Sequence, residues 1–133
     1  GSKKNNIKNK RVKYLIGHTS EIKKILDKYK KNIKSIFHFG EFSRIYQSFV
    51  QMNKCIQSNS IGSHAVFNFC LKNNIKLIYS ATSASLGNKG DDKNLSPYAF
   101  TKSKNLELLE KGISVFFYYS RYYLDKSLIF LSD

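Results

Sequence analysis

No stretch of this chain approaches 18 consecutive apolar residues, so a membrane-spanning helix is not expected. Its N-terminal lysines lead into no apolar segment of the kind that marks a secretory signal, which makes a cytoplasmic location the expectation. Cysteine is scarce. Cys55 and Cys70 fall in what reads as one helix, about 22 Å apart along its axis, well beyond disulfide reach. Two separate thiols with no metal-ligand cluster point to a reducing compartment and exclude a disulfide scaffold or a zinc module. Arginine is also rare, confined to Arg11, Arg44 and Arg121, too few to lead a bidentate readout of phosphates or bases.

Lysine, by contrast, is abundant. The chain has 133 residues and a formal net charge of +14. Residues 3–34 carry twelve Lys and Arg against only Glu21 and Asp27. Such a basic arm would attract phosphate, whether in nucleic acid or in a nucleotide. An AT-rich coding sequence, which favours Lys, Asn and Ile together, accounts for the same bias. Hydrophobic residues make up 41% and aromatics 14%, enough for one domain with a core and too few for two. Residues 1–11 read as a basic disordered arm and 12–133 as a single domain.

Short apolar runs alternate with helical patterns. Val12-Lys13-Tyr14-Leu15-Ile16 reads as a strand stopped by Gly17, and Thr19 or Ser20 can cap a helix over about 20–30. Ser35-Ile36-Phe37-His38-Phe39 reads as a second strand. One long helix is expected over 44–73, broken early or at Gly62, and Ile75-Lys76-Leu77-Ile78-Tyr79 is a third strand. After a loop at 86–95, Ser96 is a good cap and Pro97 fits the first helical position. That helix runs to about Lys111, where Gly112 ends it, and Ile113 to Tyr119 reads as a fourth strand. This βαβαβαβ order predicts an α/β fold with a parallel sheet and flanking helices. The aromatic stretch Phe116 to Tyr123 reads as core and edge packing.

In a parallel sheet, chemistry gathers at the carboxyl ends of the strands. Two of those ends, His38-Phe39-Gly40-Glu41 and Ser80-Ala81-Thr82-Ser83, bring Thr82 to the edge where the Tyr98 helix begins. Tyr98 and Lys102 are four apart on that helix and share one face. A lysine beside a phenol favours the phenolate and makes it a usable proton donor and acceptor. His38 reads as a strand-end residue lining a ligand floor, Glu41 as a solvated loop carboxylate, and His18 and His64 as surface residues.

Four blocks in order resemble the extended short-chain dehydrogenase/reductase family, in its NAD-dependent nucleotide-sugar epimerase and dehydratase branch. Phe37-His38-Phe39-Gly40-Glu41 with Ser43 resembles the strand and loop beneath the dinucleotide. Asn59-Ser60-Ile61-Gly62-Ser63 resembles the Asn-x-x-Gly-Thr block of the long helix. Lys76 to Ser83 resembles the strand leading to the catalytic hydroxyl. Ser96-Pro97-Tyr98-Ala99-Phe100-Thr101-Lys102 resembles the catalytic Tyr-x-x-x-Lys helix. The resemblance covers roughly residues 12–110.

It implies a truncated Rossmann-like sheet and a catalytic set of Thr82, Tyr98 and Lys102. Tyr98 would be the acid/base, Lys102 would hold the nicotinamide ribose, and Thr82 would bond the sugar hydroxyl or ketone. NAD or NADP is the implied cofactor and a nucleotide sugar the implied substrate. His38, Phe39, Gly40, Asn59 and Lys102 are the implied cofactor-binding residues. The family's opening Gly-x-x-Gly-x-x-Gly turn and its C-terminal substrate lobe have no counterpart in this sequence, and His18 stands where an Asp commonly contacts adenine. Without two preceding strands, segment 12–16 either pairs beside strand 35–39 or leaves an edge that another subunit covers. Helices 44–73 and 97–111 correspond to the family's dimer bundle, so a homo-oligomer is expected. Three readings remain open: an epimerase or dehydratase completed by a partner chain, a non-catalytic oligomeric or ligand-binding module derived from that family, and a basic nucleic-acid-binding protein.

Overall fold

The computed structural model describes residues 10–81 and 95–119, with side chains as far as Gly112. Two strands, β1 (Ser35–His38) and β2 (Lys76–Tyr79), lie parallel and in register, with Ser35 opposite Lys76 and His38 opposite Tyr79. Parallel neighbours need a helical crossover, and the chain supplies a long one. It runs through α2 (Ile45–Val50), α3 (Met52–Cys55), a π-helical stretch (Ile56–Gly62) and α4 (Ser63–Lys72). Ahead of β1 stands α1 (Ile22–Leu26), extended by 3-10 turns at Thr19–Glu21 and Asp27–Asn32. Beyond β2 comes α5 (Pro97–Tyr119).

The period-2 strands and period-3.6 helices place one apolar set between them. Ile22 of α1, Val66, Phe69 and Cys70 of α4, and Ile75 form the buried core, with Leu26, Ile33, Ile36 and Leu77 packed on it. Each such aliphatic or aromatic side chain contributes about 1.5–3 kcal/mol by leaving water. Helix α4 ends at an Asn pair: Asn74 adopts the left-handed region at φ 52°, and the Ile75 N–H returns to the Cys70 carbonyl at 2.9 Å. Asparagine is among the few residues that tolerate that conformation. The chain therefore turns straight from α4 into β2.

The crossover helix is broken at Gln51 (φ −118°, ψ 45°) and continues unbroken through Gly62. Gly62 is required by a close approach: a Cβ there would meet Thr19 Oγ1 at 2.2 Å and Thr19 Cβ at 3.3 Å. The 3-10 turn before α1 thus lies against the crossover. That turn is capped by His18, whose Nδ1 accepts from the Ser20 N–H at 3.2 Å, and not by Thr19 or Ser20. The hydroxyl of Thr19 is buried and has no hydrogen-bond partner among the described residues, lying instead against Gly62.

Two expected strands do not form. Segment 12–16 has no regular secondary structure and does not join the β1–β2 sheet, and Val12, Tyr14, Leu15 and Ile16 are exposed. Polar contact holds it, because Lys13 Nζ donates to Tyr29 Oη at 2.6 Å and sits 4.9 Å from that ring's centre. The expected pairing beside strand 35–39 is thereby corrected. Residues 113–119 continue α5. Gly112 stops a helix only if it turns left-handed; kept helical, it costs about 1 kcal/mol against alanine, too little to end a helix already started. Among the described residues no helix is long and apolar enough to cross a membrane.

Candidate functional site

The start of α5 is set locally. Ser96 Oγ accepts from the Ala99 N–H at 3.0 Å, Pro97 occupies the first helical position, and both follow the cap expected from sequence. A second anchor, which sequence did not indicate, comes from α2: the Tyr98 N–H donates to Ser48 Oγ at 3.3 Å, and Ser48 is fully buried. With its first turn fixed this way, α5 carries Tyr98, Lys102 and Asn105 along one face. Tyr98 is half-buried at the N-terminal end and Lys102 is only 5% exposed.

A buried ammonium needs a counter-charge and hydrogen-bond acceptors. Lys102 Nζ donates to Glu41 Oε2 and to the Ser80 carbonyl, and lies 4.5 Å from the centre of the Tyr79 ring. Glu41 is therefore not the solvated loop carboxylate its position after Gly40 suggested. Its side chain is 4% exposed. Oε1 accepts from Ser63 Oγ, from Tyr79 Oη at 3.0 Å and from Asn105 Nδ2 at 3.0 Å. One carboxylate thus gathers donors from α4, β2 and α5.

The network extends to β1. His38 Nε2 lies 2.8 Å from Ser63 Oγ. Because that hydroxyl donates to Glu41, its lone pair is left to accept, which assigns the His38 proton to Nε2. Burial, aided by the Lys102 charge and opposed by Glu41, holds His38 below its ordinary range. Burial first, with Glu41, Tyr98 and others, pushes the Tyr79 phenol well up. Tyr79 is a neutral donor here, donating to Glu41 Oε1. The thiols are neutral as well: burial raises Cys55 and pushes Cys70 up to about 12. Neither is an activated nucleophile.

Asn59 is fully buried under the loop after β1. Its Oδ1 accepts from the Phe42 N–H at 2.6 Å, and its Nδ2 donates to the Phe42 carbonyl at 3.0 Å and to Thr101 Oγ1 at 3.1 Å. The Asn59 carbonyl accepts from Asn105 Nδ2 at 2.6 Å. Its side chain ties the Gly40-Glu41-Phe42 loop to α5. The structure places Gly40 and Phe39 exposed at that loop, with Phe39 57% accessible. His38 and Asn59 are interior supports, and Lys102 stands at the carboxyl end of β2. Thr82 lies outside the described residues.

Sequence reasoning missed Glu41, Ser63, Tyr79 and Asn105. One signal was available: Glu41 is the only acidic residue between Asp27 and Asp91, so a buried Lys102 had few candidate counter-ions nearby. Among the described residues, Lys102 Nζ donates to Glu41 and to the Ser80 carbonyl, two bonds for a group with three N–H donors. Among the described residues no three His, Cys, Asp or Glu side chains could hold a metal ion.

Solved structures share this fold. The UDP-Glc/GlcNAc 4-epimerase from the human pathogen Campylobacter jejuni matches with a TM-score of 0.69 at 19% identity, over 80% of this chain and 35% of that one. The UDP-glucose 4-epimerase from Brucella ovis, in complex with NAD, matches at 0.66 and 16% identity, over 75% and 34%. A further UDP-glucose 4-epimerase matches at 0.69 and 18% identity, over 80% and 36%. The chain spans about a third of the length of these structures. No curated protein matches its sequence. The NAD dependent epimerase/dehydratase family matches across residues 1–112, most of the chain and the whole of the Glu41–Lys102 network, and to that family the chain belongs.

Proposed function

We propose that the chain carries the proton-transfer site of a NAD-dependent nucleotide-sugar epimerase acting on a UDP-hexose. The observation that carries this reading is Lys102, a buried lysine fixed at the carboxyl end of β2 one helical turn after Tyr98. Its support is the family match and the neighbours named for UDP-sugars and NAD. Tyr98 would hold and exchange the proton on the sugar oxygen. Lys102 would offer its remaining N–H to the nicotinamide ribose. Thr82 would hydrogen-bond the same sugar hydroxyl or ketone. NAD, when bound, supplies a reversible hydride acceptor. The Gly40 loop would form the floor beneath it, held from within by Asn59 and His38.

Incubation with NAD⁺ and UDP-glucose, followed by proton NMR of the sugar, is expected to show the 4-epimer. Tyr98→Phe should lower the rate about 10²–10⁴-fold, the usual worth of a positioned acid/base. Product formed equally fast by Tyr98→Phe would refute the assigned role.

The chain is also proposed to self-associate through α2 and α5, which pack side by side. Tyr46 and Val50 on α2 are 76% and 69% exposed, and Phe49, Phe100 and Leu108 are each about half exposed. An apolar surface of this kind marks an interface. Sedimentation at micromolar concentration should show a dimer or larger, and a clean monomer would sink the idea.

A further inference from the structure

The Tyr-Lys spacing explains why a lysine is present but not why a carboxylate is buried against it. Desolvating two charges is costly, and a pair of well-packed apolar residues would serve stability as well. Glu41 nevertheless sits at 4% exposure and receives hydrogen bonds from Ser63, Tyr79, Asn105 and Lys102. Two consequences follow from that geometry. First, among the described residues Lys102 donates to Glu41 and to the Ser80 carbonyl, and these two bonds fix the orientation of its ammonium. Second, the ammonium and the carboxylate cancel, and a ligand approaching Lys102 meets no net positive charge.

The second point matters for a nicotinamide. Its oxidised ring is cationic and its reduced ring neutral. An uncompensated lysine beside it would disfavour the oxidised form, whereas a paired one would not. We propose that Glu41 is a positioning residue that neutralises and aims Lys102, allowing this site to take up an oxidised, cationic nicotinamide as readily as the reduced one. The inference rests on the nicotinamide reading of Lys102 and extends it to a residue which that reading does not use.

The test compares NAD⁺ and NADH binding by calorimetry in the wild-type chain, in Glu41→Gln and in Glu41→Asp. Glu41→Gln should weaken NAD⁺ relative to NADH by about tenfold, the scale of one uncompensated charge several ångströms away in a partly screened site. Glu41→Asp keeps the charge and should keep the wild-type ratio. A purely structural role would weaken both forms alike, and an unchanged ratio in Glu41→Gln would overturn the proposal while leaving the nicotinamide reading intact. A wild-type chain that binds neither form overturns the nicotinamide reading and the ligand assigned here. The pair itself is read without cofactor or substitution. The Lys102 ammonium should give an NMR signal protected from solvent exchange, unlike exposed Lys23 and Lys24, and an ammonium exchanging as fast as theirs contradicts the pairing even if Glu41→Gln fails to fold.

Discussion

Lys102→Met is expected to destabilise the chain by about 3–5 kcal/mol, because removing one partner of a buried ion pair strands the other. The side chains of Lys102 and Glu41 are 5% and 4% exposed, so water cannot take the place of the lost ammonium. The Ser80 carbonyl, which accepts from Lys102 at the end of β2, would lose that donor as well. A loss of this size is a large share of a small domain's 5–15 kcal/mol. The double variant Lys102→Met/Glu41→Gln should recover more than half of it: the remaining donors, Ser63, Tyr79 and Asn105, still find a side-chain oxygen, and no charge is left unpaired. Urea unfolding of the four proteins measures the coupling. Costs that simply add would mean that the two residues do not act as a pair.

Asn59→Ala is the second large effect, at about 2–4 kcal/mol. The substitution removes the acceptor for the Phe42 N–H and the donors for the Phe42 carbonyl and Thr101 Oγ1 in one step. Each buried group left unsatisfied costs about 1–3 kcal/mol, more than the bond's net worth when made. The effect should also be local. The loop that carries Gly40 and Glu41 is tied to the crossover helix by this side chain, so amide exchange at Phe42 should rise beyond what global destabilisation explains. Uniformly faster exchange across β1, β2 and the loop would show that Asn59 supports the fold in general and not the loop in particular.

The parts legible in sequence were those governed by local chemistry. Ser96 and Pro97 announced the start of α5 because capping depends on three or four neighbouring residues. Ser35–His38 and Lys76–Tyr79 were readable as short apolar runs bounded by turns. Gly112 misled because a glycine's effect depends on its conformation, and nothing in the sequence says whether it turns left-handed. Segment 12–16 misled for a related reason: strand propensity is satisfied only by a neighbour, and its contacts are made by Lys13 and Tyr29 instead. The break at Gln51 has no proline or glycine to mark it. At the site, the spacing of Tyr98 and Lys102 was visible, but the bond from Lys102 to Glu41 spans 61 residues and depends on how β1, β2 and α5 meet. Such long-range polar pairing has no periodicity and leaves no local trace.

The role assigned to this site depends most directly on whether Lys102 meets a nicotinamide nucleotide. The measurement that decides it is a titration of the wild-type chain with NAD⁺, following the Lys102 ammonium resonance alongside the heat of binding. Saturable binding that shifts this resonance is the expected result. A resonance unmoved and no heat at millimolar NAD⁺ would contradict it.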